Sequence, residues 1–213
     1  MPLEGIRVCD LSWVITGPYC TQIMAEMGAE VIRIESQQRL DNYRDARTWP
    51  RGWADNIPGV NRGGTFNSCN LSKKSCTLDL TRPEGLALAQ SIAKVSDVVV
   101  ESFGTGVAER LGLSYATLKE VKPDIIMLRM SATGHRGPWR DYSGFGPTVH
   151  ALSGMTCLTS YPEYPPSGPG FAYADHVSGL YACLSLLEAL EHKRKTGEGQ
   201  YIDISQTEAM ASL

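Results

Sequence analysis

Hydrophobic and polar positions along the chain alternate in short apolar runs separated by amphipathic stretches, the pattern of an α/β protein. Ile6-Arg7-Val8-Cys9-Asp10-Leu11 is β-prone, Ser12 to Pro18 reads as a loop, and Tyr19 to Met27 is helix-prone with Gly28 suited to its stop. Glu30 to Glu35 is the next strand. Two strands bridged by one helix predict parallel pairing. Regular structure resumes at Cys76-Thr77-Leu78-Asp79-Leu80. There Thr81 is expected to cap a helix reaching about Val95, with Pro83-Glu84 in its first turn and Leu88, Ile92 and Val95 on one side. Asp97 to Glu101 reads as a strand, followed by short helices at Val107 to Leu111 and Tyr115 to Val121, then a strand at Asp124 to Met130.

The second half follows the same logic. Gly134 to Gly146 and Tyr161 to Gly170 are rich in Gly and Pro and read as loops around a short helix at Pro147 to Leu152. Asp175 opens the longest helix. Leu180, Cys183, Leu184, Leu187 and Leu190 repeat there at helical spacing, and Thr196-Gly197 ends it. Gln200 to Ser205 is the last strand. Gln206 to Leu213 starts a helix without a terminating signal, which suggests a truncated chain. The expected fold is a Rossmann-like, doubly wound, mostly parallel sheet. The polar stretch from Ser36 to Ser68 interrupts it as a long surface excursion of the kind that often binds ligands.

Composition narrows the function classes. The 213 residues are 42% hydrophobic and 20% charged, a globular balance with room for one large domain. A net charge of -3 disfavours nucleic acid as a partner. No apolar run approaches the ~18 residues of a membrane span. The six cysteines form no Cys-x-x-Cys pair and the four histidines show no ligand spacing, so a metal site is not expected. Buried, reduced thiols and the absence of a secretory signal point to the cytoplasm.

Several motifs can be set aside. Leu11 to Pro18 lacks Gly-x-Gly-x-x-Gly, which argues against nicotinamide dinucleotides although Glu35 stands near where a ribose-binding acid would. Neither a Gly-x-Ser-x-Gly elbow nor a Walker loop occurs. His150, between Val149 and Ala151-Leu152, reads as a core histidine. Arg39, Arg44, Lys73, Lys74, Arg110, Arg129, Arg136 and Arg140 lie near strand-helix junctions, the rim where doubly wound sheets bind ligands and where a phosphate would find cations. Asp175 has two compatible readings. It is a favoured helix cap, and it is a carboxylate, ionised at neutral pH, able to attack an activated acyl group.

Taken in order, these segments resemble the class III CoA-transferases, the CaiB/BaiF family. The resemblance is carried by Val8-Cys9-Asp10-Leu11-Ser12, Gly17-Pro18 and Ala25 to Glu35. It continues through Asn70, Lys73-Lys74-Ser75, Leu78-Asp79-Leu80, Pro83-Glu84-Gly85, Val100-Glu101-Ser102-Phe103 and Glu109-Arg110-Leu111-Gly112. The most specific block is Ala174-Asp175 with Gly179, Ala189-Leu190, Arg194 to Gln200 and Asp203-Ile204-Ser205.

The resemblance implies an enzyme that moves coenzyme A from an acyl-CoA to a small free carboxylic acid. Asp175 would be the nucleophile, passing through an acyl anhydride and an aspartyl-CoA thioester. It places Arg110, Phe103, Val14 and Arg44 against CoA, a substrate, with no metal and no nicotinamide. It implies an interlocked homodimer for the complete protein. Residues 1–213 would then be the large domain, without the smaller domain of longer family members. Three positions depart from the family pattern. Gly144-Phe145-Gly146 stands where related racemases carry Gly-His-Asp, Ser102-Phe103-Gly104-Thr105-Gly106 replaces the usual Asn-Phe-Arg-Pro-Gly, and Gln37 replaces a proline. The first favours the transferase branch. The remaining alternatives are a 2-methylacyl-CoA racemase-like enzyme using Asp175 as base, and a non-catalytic CoA-binding fragment.

Overall fold

The computed structural model describes residues 1–44, 57 and 59–213. Its strands are β1 (Arg7–Asp10), β2 (Glu30–Glu35), β3 (Lys74–Thr77), β4 (Val98–Glu101), β5 (Ile126–Ser131) and β6 (Tyr201–Ser205). Every pairing is parallel, and the order is β3-β2-β1-β4-β5-β6. The sheet thus winds outward from β1 in one direction and, after β3, in the other. The reversal opens a crevice beyond the C-terminal ends of β1 and β4, the place where doubly wound sheets bind ligands.

Strand residues alternate between two apolar layers, as the pleat requires. Val8, Val31, Val98, Val100, Ile126 and Leu128 pack beneath α1 (Thr16–Glu26) and α8 (Tyr173–Thr196). Cys9, Ile34, Val99 and Met127 face the opposite layer, which includes α3 (Pro83–Lys94), α4 (Val107–Arg110) and α5 (Tyr115–Val121). Burial on both sides explains why the central strands read as continuous apolar runs.

The helix faces match the expected ones only in part: Cys183, Leu187 and Leu190 of α8 and Ile92 of α3 pack against the core as expected, and other positions do not. On α8 the buried residues are Ala174, Asp175, Ser178, Gly179, Ala182, Cys183, Leu186 and Ala189, while Leu180 and Leu184 are 52% and 53% exposed. On α3, Gly85, Ala89 and Ala93 are buried while Leu88 and Val95 are exposed. Close approach explains the choice of small residues. A Cβ on Gly179 would lie 2.9 Å from the Thr16 carbonyl oxygen, so α8 can cross α1 closely only where side chains are small.

Other boundaries also shift. α1 begins at Thr16 rather than Tyr19, and β3 runs Lys74–Thr77 rather than to Leu80. Thr81 does not cap α3. The N-cap is Arg82, and the Thr81 hydroxyl instead donates to Asp79 Oδ1 at 2.6 Å. The stretch from Ser36 to Ser68 contains α2 (Gly64–Ser68) and, in part, lies outside the described residues. The connection from β5 carries α6 (Gly146–Leu152) and α7 (Met155–Leu158), and β6 leads directly into α9 (Gln206–Ala211).

Candidate active site

The crevice is built on a buried ionic network. Asp10, the last residue of β1, is fully buried. Its Oδ1 accepts from the Ser12 amide at 2.9 Å, and its Oδ2 accepts from Thr21 Oγ1 at 2.7 Å and Lys73 Nζ at 3.2 Å. Burial opposes its ionisation, but Lys73, Arg33 and the hydroxyls of Ser12 and Thr21, both of which donate to the carboxylate, outweigh that and hold the carboxyl below its usual range. Arg33, 2% exposed, passes the network to Asp41 at 2.8 Å and Asn70 at 3.0 Å.

This network shapes the first loop. Asp41 Oδ2 accepts from the Val14 amide at 2.9 Å, and Val14 has φ of 69°. A β-branched residue in the left-handed region is strained and persists only where surrounding contacts hold it. Across the crevice, the Trp13 amide donates to Ser102 Oγ at 2.9 Å, joining the loops that follow β1 and β4.

Two residues beyond Val14, Thr16 Oγ1 donates to Asp175 Oδ1 at 2.7 Å. Asp175 is not the helix cap. Ala172 occupies that position without a side-chain bond, and α8 begins at Tyr173, so Asp175 sits inside the first turn. The carboxylate still lies at the positive end of the helix dipole. It is only 8% exposed, and burial pushes its pKa above the usual aspartate value against the opposing influence of Thr16, His176 and His150. His150, 3% exposed on α6, accepts at Nε2 from the Ala174 amide at 3.0 Å. It is a core histidine as expected, and it also steadies the turn that carries Asp175.

Gly146, the first residue of α6, leaves room for the acid. A Cβ there would come within 2.8 Å of Asp175 Oδ2. Gly146→Ala is therefore expected to displace the carboxylate and to lower activity about tenfold or more, at a stability change of about 1 kcal/mol. Steady-state kinetics beside urea unfolding checks this.

The other expected site residues fall in two groups. Val14 and Phe103 stand on the two loops that meet at the crevice, Phe103 with its carbonyl accepting from His135 Nε2 at 3.1 Å. Arg110 ends α4 and is exposed. Arg44 is committed elsewhere, donating from Nε and Nη2 to Glu35 at 2.7 and 2.6 Å and lying over the Phe66 ring at 4.0 Å. Several rim cations are likewise internal. Lys73 is 2% exposed against Asp10, and Arg129 is held between Glu101 and Glu109. Arg39, Arg110, Arg136 and Arg140 remain at the surface.

A polar cavity of about 340 Å³, lined in part by Arg136, Tyr201, Asp203 and Glu208, lies at the end of β6. Among the described residues no group of three or more His, Cys, Asp or Glu side chains is arranged to hold a metal ion, and no helix is long and apolar enough to cross a membrane.

The sequence signature described as CoA-transferase family III matches residues 3–213. The chain belongs to this family. Within it, the chain is 37% identical over 211 residues to the succinyl-CoA–L-malate CoA-transferase beta subunit of Chloroflexus aurantiacus, covering 99% of this chain and 50% of that protein. It is 33% identical over its whole length to the succinate–glutarate CoA-transferase of Agrobacterium fabrum, covering 52% of that protein. A crystal structure of a CaiB/BaiF family protein from Brucella suis superposes over the entire chain with a TM-score of 0.91 at 32% identity, covering 55% of that structure. The chain thus spans about half the length of the curated relatives it matches.

The groups that surround Asp175 were not evident from the sequence. Thr16 and Gln206 carry no motif of their own, and Gly146 stood out only as part of Gly144-Phe145-Gly146. Gln206 Nε2 donates to Thr16 Oγ1 at 2.5 Å across 190 positions of sequence, a contact that local pattern cannot forecast.

Proposed function

We propose that the protein transfers coenzyme A from an acyl-CoA to a small free carboxylic acid, with Asp175 as covalent nucleophile. The observation that carries this reading is a buried carboxylate held beside the crevice loop by a 2.7 Å hydrogen bond from Thr16, its pKa raised by burial, with Gly146 leaving room for it. The names of several similar proteins support succinyl-CoA as the first donor to test.

The chemistry we propose is the one the family resemblance implies. An Asp175 oxygen attacks the thioester carbonyl, the C–S bond breaks, and CoA leaves as thiolate with an acyl-aspartyl anhydride behind it. The thiolate then attacks the aspartyl carbonyl, releasing the donor acid and leaving an aspartyl-CoA thioester. The acceptor carboxylate attacks that thioester and expels the thiolate again. The thiolate finally takes the acceptor acyl group from the second anhydride and frees Asp175. No step consumes a proton overall. Anhydrides hydrolyse, so the low exposure of Asp175 is useful in excluding water. Desolvation also strengthens a nucleophile that bulk water would otherwise stabilise.

Val14, Phe103, Arg110 and Arg44 are the groups we place against CoA, Arg44 being paired with Glu35. Arg110→Ala is expected to raise KM for acyl-CoA about tenfold with kcat nearly unchanged, since an exposed cation contributes binding to ground and transition states alike. Residues 1–213 act in this reading as the large domain of a longer, dimeric enzyme.

Because Asp175 must be ionised to attack, the rate should fall as pH drops through its raised pKa. The acid limb of kcat/KM is therefore expected at a higher pH than an ordinary aspartate, whose value is near 3.8, would give. A limb at or below that value would contradict the burial argument. The racemase alternative finds less support, because Gly144-Phe145-Gly146 stands where related racemases carry Gly-His-Asp. Exchange of label between free succinate and succinyl-CoA, run beside racemisation of a chiral 2-methylacyl-CoA, tests the proposal. Exchange without racemisation supports it, and racemisation without exchange overturns it.

A further inference from the structure

We infer that Gln206 is a positioning residue that acts on Asp175 through Thr16, its side-chain amide committing the single hydroxyl proton of Thr16 to the carboxylate. Its functional meaning rests on the reading of Asp175 as nucleophile; the bonding itself does not.

The argument begins with donors and acceptors. A threonine hydroxyl has one proton to give and two lone pairs to receive. Thr16 Oγ1 stands 2.7 Å from Asp175 Oδ1 and 2.5 Å from Gln206 Nε2. An ionised carboxylate has no proton, so the Thr16 O–H must point at Asp175. The Gln206 N–H then fills a Thr16 lone pair. Were the amide turned over, its oxygen would compete with Asp175 for that proton, and the carboxylate would lose its donor. The ionised state of Asp175 and the orientation of Gln206 thus require each other. A hydroxyl that accepts a bond is also a better donor. All three residues are nearly excluded from water, with Thr16 at 3%, Asp175 at 8% and Gln206 at 9% exposure.

Gln206 is held where this demands. Ser205 closes β6, and Thr207 donates from its amide and its hydroxyl to the Ala132 carbonyl at 2.9 and 2.7 Å, pinning the start of α9 to the end of β5. The other titratable groups facing Asp175 are His150 from α6, His176 from α8 itself and Tyr43 from the segment after β2. A change at Gln206 alters none of them directly. The chain Gln206 to Thr16 to Asp175 therefore couples the end of β6 to the acid on α8 through the first residue of α1.

The test reads the acid itself. Carbon-13 NMR of aspartate-labelled protein, with the Asp175 resonance identified by Asp175→Asn, gives its pKa without any substrate. Gln206→Met should raise that pKa by roughly a few tenths of a unit, because Thr16 keeps its proton on Asp175 but is a weaker donor once its own oxygen no longer accepts the amide N–H. Thr16→Val should raise it at least as far, and Thr16→Ser should leave it near the wild-type value. Adding Gln206→Met to Thr16→Val should produce no further shift, since the amide acts only through the hydroxyl. Gln206→Glu keeps the shape but offers an acceptor in place of the donor, and should raise the pKa more than Gln206→Met does. An unchanged pKa in both Gln206 variants overturns the inference. So does a Gln206→Met shift as large in the Thr16→Val background as in wild type. Loss of the relay with an intact Asp175 adduct would reject this inference alone; an intact relay with no adduct would reject the transferase reading alone.

Discussion

Asp175→Ala is expected to reduce CoA exchange about a thousandfold or more while leaving acyl-CoA binding within a fewfold of wild type. Removing a covalent nucleophile removes the reaction path and not just a contact, so the loss should appear in kcat. Stability offers the control. Burial raises the Asp175 pKa, so the folded protein carries a penalty for the charged form that is absent below the ordinary value near 3.8 and grows as pH rises through the folded value. Removing the carboxylate relieves that penalty at neutral pH. Because Ala172 and not Asp175 occupies the cap position, no helix cap is lost with it. Urea unfolding of Asp175→Ala should thus give an unchanged or higher midpoint. Near-normal turnover in this variant would reduce Asp175 to a structural residue of the first turn.

Asp10→Ala should have the opposite profile, a stability loss of about 3–5 kcal/mol. The side chains of Asp10 and Lys73 are 0% and 2% exposed, so removing one leaves the other as a buried, uncompensated charge. Asp10 also anchors Ser12 and Thr21, which fixes the start of α1 relative to β1. Its pKa is held low in the fold, so its contribution is present in full above the ordinary value near 3.8 and is lost as pH falls through the folded one. The deficit of Asp10→Ala should accordingly shrink in acid. Equilibrium unfolding of both proteins at neutral and acid pH measures this. A loss below about 1 kcal/mol at neutral pH would mean that the buried pair is replaceable by water or repacking.

The sheet was legible in the sequence because central parallel strands such as Val98-Val99-Val100 and the run Ile125 to Leu128 are buried on both faces and therefore apolar. The helices were legible in extent but not in orientation. Leucines at helical spacing on α8 suggested a core stripe, yet Gly179 and Ala182 face α1, because close crossing selects small side chains and leaves Leu180 and Leu184 outward. Cations expected at a ligand-binding rim divide in the structure: Lys73 and Arg129 turn inward to acids that lie 63 and 28 residues away along the chain. No local pattern encodes such pairing.

The site shows the same division. Asp175 stood out in the sequence as a candidate, whereas the groups that brace it did not. Thr16 reads as an ordinary loop residue, and Gln206 as the first residue of a terminal helix. Only the parallel winding that sets β1 and β5 on either side of β4, with β6 beside β5, brings the two within hydrogen-bonding distance. The left-handed Val14 was equally hidden, since its conformation is imposed by Asp41 and Arg33 and not by its own preference.

One measurement bears most directly on Asp175 as a covalent nucleophile. The protein is incubated with succinyl-CoA, treated with hydroxylamine or borohydride, digested, and analysed by mass spectrometry. The account predicts a hydroxamate or a reduced alcohol at Asp175, absent without acyl-CoA and absent in Asp175→Asn. Efficient CoA exchange with an unmodified Asp175 peptide, or trapping at another residue, would contradict it.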